Sequence, residues 1–475
     1  MRAAYRHRSF AAAILCASWF GARGGLAAGE NAPDEQRFRE LYRELVEINT
    51  TDSAGDTVRA AEAMARRLRA GGLPADDVRV LSSAPRKGNL VARLRGTGAR
   101  RPLLLLAHLD VVEARREDWS FDPFKLQEVD GFYRGRGTVD DKAMAAIFVA
   151  NLIRYLGEGY KPDRDLVLAL TADEELSDSP NDGVRWLLEH HRELIDAELA
   201  INEGGGGVLQ NGKPTRNQIQ LAEKVYQSYR LEVRDAGGHS SLPKPGNAIY
   251  RLADGLVRLA KFEFPVELNQ VTRPFFERVV RGEEPAVAAA IKELLAGRTD
   301  SQTLAPLTQR FVYNAQLRTT CVATQLEAGH AENALPQMAR ATINCRIMPG
   351  DRVEDVEATL VRVLNDEKIS VKPIGKAVAS PPSPMNVEVM QAVESITGEM
   401  WPGVPVIPTM STGYTDSRWL RPAGIPVYGV SGLFTDPAKS GTHGLNEQIG
   451  AKELHAGKEF LYRLVKALST EKRTN

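Results

Sequence analysis

The chain has 475 residues, and its 61 Lys plus Arg balance its 61 Asp plus Glu, so the formal net charge is zero. That length allows two or three domains, each with its own core, and the balanced, dispersed charge excludes nucleic acid as a main partner, which calls for a net basic face. Cys16, Cys321 and Cys345 are the only cysteines, too few for a disulfide framework to replace a hydrophobic core.

Arg2, Arg6 and Arg8 precede a short apolar segment, residues 9–20. It is shorter than the about 20 residues that span a bilayer. Small residues follow, and Gly25-Leu26-Ala27 or Leu26-Ala27-Ala28 supplies a cleavage site. Residues 1–28 therefore read as a secretory signal peptide and the mature chain as exported, periplasmic or secreted. A lipidated Cys16 is the alternative, disfavoured by the bulky Leu15 before it. No later apolar stretch is long enough to cross a membrane, so no stable insertion of the mature chain is expected.

Two helices open the mature chain, at residues 34–49 and 57–70. The first places Phe38, Leu41, Leu45 and Ile48 on one face; the second has Asp56 as its cap and Gly71-Gly72 as its stop. Strands and helices then alternate to about residue 210, the rhythm of an α/β fold with a mostly parallel, doubly wound sheet. Three apolar runs, residues 103–107, 166–170 and 197–201, the last interrupted only by Glu198, suit strands buried on both faces. Each ends on polar chemistry: His108-Leu109-Asp110, Asp173-Glu174-Glu175 and Asn202-Glu203. Ligands in such sheets bind beyond the carboxyl ends of the strands, so these groups are expected on one rim.

The pattern changes near residue 216, where alternating strands (222–233, 319–324, 339–347 and 369–373) and helices (247–262 and 352–364) form a smaller α+β unit. Residues 216–376 read as an inserted domain, with 34–215 and 377–475 forming the catalytic domain and the proline-rich stretch at 379–384 the return linker. Cys321 and Cys345 fall in strands of the insert. Two small buried residues are the expectation there, and a disulfide the alternative. The last segment returns to α/β character, with His443 in the loop Gly441-Thr442-His443-Gly444.

The residue types point to two metal ions. His108, Asp140, Glu175, Glu203 and His443 give each ion one imidazole, one terminal carboxylate and one arm of Asp140. Such ligands suit Zn²⁺, with Co²⁺ or Mn²⁺ also accommodated, and a paired site activates a shared water. Asp110, two residues beyond His108 on an extended segment, is placed to hold the imidazole. Of the adjacent Glu174 and Glu175, one can ligate while the other serves as general base.

These motifs, together with Gly135-Arg136-Gly137-Thr138-Val139-Asp140-Asp141-Lys142 and Gly237-Gly238-His239-Ser240-Ser241, resemble the dinuclear-zinc aminoacylase and carboxypeptidase family. It includes glutamate carboxypeptidase, acetylornithine deacetylase and succinyl-diaminopimelate desuccinylase. The resemblance runs from about residue 35 to 470. It implies that Asp140 bridges, that Glu175 ligates and that Glu174 is the base. It further implies an insert that dimerises the chain, a His239 that reaches an active site (often the partner subunit's) to stabilise the oxyanion, and substrate contacts from Asn333 and Arg346. Arg346 would grip a carboxylate. The segment Gly413-Tyr414-Thr415-Asp416-Ser417-Arg418 resembles one near the substrate in the peptidases. Ala143 departs from the glycine many members have there, and the run Gly204–Gly207 is longer than usual.

The expected activity is metal-dependent hydrolysis of an amide, releasing a C-terminal or N-acylated amino acid, with metal-activated hydroxide as nucleophile. A dipeptidase or aminopeptidase of the same family is the alternative; a non-catalytic peptide-binding protein on this scaffold is the reading from a different class. Bland readings stand beside each residue: Asp140 and Asp141 can cap the following helix, Glu174 and Glu175 can open a solvated turn, His239 can sit in a surface turn, and Arg346 can pair within its sheet.

Overall fold

The computed structural model describes residues 32–176 and 178–470. The signal-peptide expectation falls on residues outside these. The main sheet has ten strands, in the order 78–84, 87–94, 166–171, 103–108, 199–202, 427–429, 213–223, 207–210 and 434–435, with 406–411 paired to 213–223. Its centre is parallel: Leu103–His108 lies between Leu166–Thr171 and Leu199–Asn202, which in turn pairs with Val427–Gly429. These strands are buried throughout, as their unbroken apolar runs require. Fully burying each leucine stabilises by roughly 1.5–3 kcal/mol. Outside this centre the sheet takes antiparallel strands, so the parallel expectation holds where the site is built.

Helices Ala32–Glu47, Thr57–Ala70, Lys142–Gly157 and Ala451–Leu468 cover one face and share its core. Asp56 caps the second of these by accepting from the Arg59 amide at 3.2 Å. The closing helix begins at Ala451, because Gln448–Gly450 is first used as a strand against Phe132–Arg134.

A second, four-stranded antiparallel sheet holds Thr320–Ala328, Met338–Ile347, Val225–Arg234 and Ile369–Ile374. Helices Ala248–Lys261 and Val353–Leu364 cover it and close a separate core. The chain passes between the sheets at Lys224, not near residue 216, because Lys213–Glu223 pairs within the main sheet. Cys321 and Cys345 stand directly opposite on neighbouring strands and form a disulfide, against the expectation of two free thiols. Alternation reveals the strands but not the register that places the two sulfurs together. Four further helices, Thr272–Val279, Pro285–Leu295, Ser301–Thr308 and Phe311–Leu317, pack together and reach Ile407 of the main sheet. Arg278 of this group donates to the Val406 carbonyl at 2.6 Å. Among the described residues, no helix is long and apolar enough to cross a membrane.

Where the chain crosses between sheets, Glu223 and Arg421 form an ion pair at 3.0 Å with both side chains 1% exposed. Burial pushes the Glu223 carboxyl above its ordinary value even though Arg421 opposes it. A pair this deep is costly to break, since removing one partner strands a charge at about 3–5 kcal/mol. Arg421→Met is expected to lose stability of that order in urea unfolding, and the double variant with Glu223→Met to regain most of it. Equal stability of the single variant and the parent would contradict this account of the crossing.

Candidate dinuclear metal centre

The central strands deliver their polar residues to one rim. His108 ends its strand and Glu203 follows Leu199–Asn202 directly. Asp173, with a left-handed φ of 62°, turns the chain after Leu166–Thr171 so that Glu174 and Glu175 face the same space. Lys87 at 2.6 Å and Ser179 at 2.7 Å hold the Asp173 carboxylate. Asp140 and Asp141, joined by a cis peptide, precede the helix Lys142–Gly157. His443, φ 57°, arrives from the glycine-flanked loop.

Five expected ligands meet there in two sets that share Asp140. His108, Asp140 and Glu203 offer one set of ligand atoms, all within 4.8 Å of one another; Asp140, Glu175 and His443 offer the other. His108 Nε2 lies 2.9 Å from Asp140 Oδ1 and 3.7 Å from Glu203 Oε1. His443 Nε2 lies 3.1 Å from both Asp140 Oδ2 and Glu175 Oε1. A third set joins His108, Glu174 and Glu175. The donors thus fit two divalent cations: one imidazole and one terminal carboxylate per ion, and a carboxylate with an oxygen toward each.

Electrostatics say the same. Burial and the neighbouring Glu203 charge push the Glu174 carboxyl well above its ordinary value. Burial and Asp140 do likewise for Glu203. Hydrogen bonds to Asp140 and Glu175 lift His443 to about 10. Asp141 Oδ2 is buried with no hydrogen-bond partner, a group a nearby cation would stabilise.

Asp110 acts differently from the simplest expectation. His108 Nδ1 meets the Asp110 backbone oxygen at 2.9 Å, while the carboxylate is 3.6 Å away. That carboxylate instead accepts the Glu174 and Glu175 amides at 3.2 and 3.0 Å. Asp110 thereby fixes His108 with Nε2 free to ligate and anchors both glutamates.

Arg346 lies apart from the carboxylates. Its guanidinium sits 4.7 Å from the Tyr226 ring and 5.9 Å from Tyr414, and Nη1 is buried without a partner. His239 and Asn333 lie together on an exposed two-stranded ribbon, where Ser240 N donates to Asn333 O at 3.1 Å. His239 Nδ1 is 2.7 Å from Ser241 Oγ, and among the described residues neither His239 nor Asn333 bonds to the carboxylate cluster.

Sequence reasoning missed Glu447 and gave no role to two further supports, Asp416 and Lys142, although it quoted the segments that hold them. Glu447, fully buried, accepts from Arg136 (2.7 Å) and from the amides of Gly137 (2.8 Å), Val139 (2.6 Å) and Asp140 (3.1 Å), and so fixes the loop that carries Asp140. Asp416 accepts from Thr171 at 2.8 Å beside Glu174. Lys142 is buried, donates to Ile48 O at 2.7 Å and is pushed by burial down to about 7. The one available signal for Glu447 was an acid four residues beyond a glycine-flanked histidine.

The family model for peptidase family M20/M25/M40 matches residues 104–467, the span that contains all five expected metal ligands. The chain belongs to that family. Peptidase family M20/M25/M40 relatives include the human N-fatty-acyl-amino acid synthase/hydrolase PM20D1, 28% identical over 382 residues, covering 78% of this chain and 74% of that protein. Probable carboxypeptidase S-like 2 of Dictyostelium discoideum is also 28% identical over 382 residues, covering 78% and 72%. The fold matches the M20 family metallo-carboxypeptidase Sso-CP2 from Sulfolobus solfataricus with a TM-score of 0.68 at 17% identity, covering 90% of this chain and 98% of that one. Membership makes the protein a metal-dependent amide hydrolase of this family.

At neutral pH the metal-free site holds protons that ions must displace, since ligating imidazoles are neutral. Metal uptake at pH 7 is therefore expected to release protons, seen calorimetrically as a buffer-dependent heat, and affinity is expected to weaken as pH falls. A heat independent of buffer would contradict the geometry.

Proposed function

We propose that the protein hydrolyses the amide of an N-acyl amino acid or peptide next to a free carboxylate, in the manner of a carboxypeptidase or aminoacylase. The observation that carries this reading is the pair of ligand sets sharing Asp140, with Glu174 beside them and, on Arg346, a buried Nη1 without a partner while Nε donates to Asn344 at 3.3 Å. His108, Asp140 and Glu203 would hold one ion, and Asp140, Glu175 and His443 the other. Zn²⁺ suits this donor set, with Co²⁺ or Mn²⁺ accommodated. When bound, the ions supply Lewis-acid charge that makes water nucleophilic at neutral pH and polarises the scissile carbonyl.

The protein's own groups then do the rest. Glu174, held beside the two sets that share Asp140 by its amide bond to Asp110, takes a proton from the attacking water and passes it to the leaving amine. The products are a carboxylate and a free amino acid. Arg346 receives the substrate carboxylate, to which a guanidinium can bind bidentately. His239 and Asn333 stand far enough out to complete a partner subunit's site, His239 as an oxyanion donor. A homodimer is supported by the edge strand Thr320–Ala328, paired on one side only, with Val322 and Leu326 exposed on it. Export is supported by the signal-like residues 1–28 and by the Cys321–Cys345 disulfide, which suits an oxidising compartment. PM20D1 and the carboxypeptidase S-like relative carry names that fit N-blocked or C-terminal substrates.

With the metal-loaded protein, turnover of N-acyl amino acids is expected, and Glu174→Ala should reduce kcat by roughly 10²–10⁴ while leaving two ions bound. Turnover of free dipeptides alone would move the activity to a dipeptidase; two bound ions without any turnover would favour a binding protein. Separately, Arg346→Ala is expected to raise KM about ten- to a hundredfold, the loss of a charge-assisted contact, with kcat little changed. An unaltered KM would remove Arg346 from the carboxylate site.

A further inference from the structure

The run Gly204–Gly207 has no part in the chemistry above, yet it walls a cavity of about 270 Å³ that opens onto Asp140 and Glu203. This volume falls just under the roughly 300–1,000 Å³ of pockets that enclose whole ligands, so it suits one end of a substrate. The glycines have packing reasons of their own: a Cβ on Gly205 would stand 2.2 Å from the Gly429 oxygen, and one on Gly207 2.1 Å from the Phe434 ring. Their backbone thus leaves a wall without side chains. Val139, Met144, Val208 and Leu433 add apolar surface, and Gln218 and Thr435 neutral polar groups. Among the described residues lining it there is no lysine, arginine or histidine.

Strand order fixes which end of the substrate this is. Glu174 follows the strand Leu166–Thr171, His108 ends the next and Glu203 follows the one after, so the metal ligands span the centre of the sheet. Arg346 is on the Glu174 side: it stacks near Tyr414, and two residues on Asp416 bonds to Thr171. The cavity is on the other side, where Gly207–Gln210 and Phe434–Thr435 pair at the far end of the sheet. A substrate with its carboxylate on Arg346 and its amide over the shared Asp140 directs its acyl group into the glycine-walled cavity.

We infer that this cavity is the acyl subsite and that it selects an uncharged aliphatic acyl group over an anionic one; the inference rests on the hydrolase reading above. Charged acyl groups lose their hydration along this wall and meet no lysine, arginine or histidine side chain there. Asp141, which belongs to neither of the two ligand sets sharing Asp140, adds repulsion for an anion at the inner end.

The test is kcat/KM for one amino acid carrying N-acetyl, N-butanoyl, N-pentanoyl, N-hexanoyl and N-succinyl groups, with the full metal-loaded protein. The expected result is a rise of about three- to fourfold per added methylene and a clear preference for pentanoyl over succinyl, which has the same length. Gln218→Arg should raise the succinyl-to-pentanoyl ratio at least about tenfold, the value of one charge-assisted contact. Val208→Phe, a second and independent variant, should depress hexanoyl turnover while sparing acetyl. Turnover that ignores chain length and acyl charge, or variants that change all substrates alike, would overturn the subsite while leaving the hydrolase intact. No turnover of any acyl amino acid would remove the hydrolase reading and the subsite with it.

Discussion

Like charge gathered in one place is the constraint on which the rest of this structure depends. Asp110, Asp140, Asp141, Glu174, Glu175 and Glu203 converge at the rim of the central strands, and among the described residues His108 and His443 are the basic side chains in direct contact with them. Burial already disfavours ionised carboxylates, and their mutual repulsion adds to it. Glu174 and Glu203 are accordingly pushed up, each first by burial and then by a neighbouring carboxylate. Such a cluster is tolerable in a folded protein when cations neutralise it. Asp140, touched by both histidines, marks the midpoint where two of them can share a ligand.

Rigidity around the cluster follows from the same constraint. Groups that repel must be held by bonds that do not depend on one another's charge. Backbone amides do much of this: Asp110 accepts two of them and Glu447 three. Glu447 also takes the Arg136 guanidinium, so the loop into Asp140 is pinned by a residue more than three hundred positions later. The result is a site assembled on strand ends and short loops whose supports lie in the core, the arrangement that keeps catalytic groups in place before substrate arrives.

Much of this was legible in the sequence because the signals are local. Unbroken leucine-rich runs announced buried strands, and the residue ending each run had to appear at the rim; His108 and Glu203 are where that logic puts them. Glycines flanking His443 marked a loop free to bring the imidazole inward. The illegible parts depend on partners remote along the chain. Nothing beside Glu223 announces Arg421, and nothing beside Asp416 announces Thr171. The helices after Lys261 read as part of the insert, yet their core includes Ile407 of the main sheet. Register decided the disulfide: the strands were visible, but which residue of one faced which of the other was not.

The same rim gives the substrate a direction. In the proposed reading, an Arg346 guanidinium with Nη1 unpartnered at one end and a cavity lined by no lysine, arginine or histidine at the other define an axis that passes over Asp140. The central claim is that Asp140 sits between two cations, and anomalous X-ray scattering at the metal edge from crystals of the metal-loaded protein tests it most directly. The account predicts two peaks about 3.5–4 Å apart, one beside His108 and Glu203, the other beside Glu175 and His443. A single peak, or ions held away from Asp140, would contradict it.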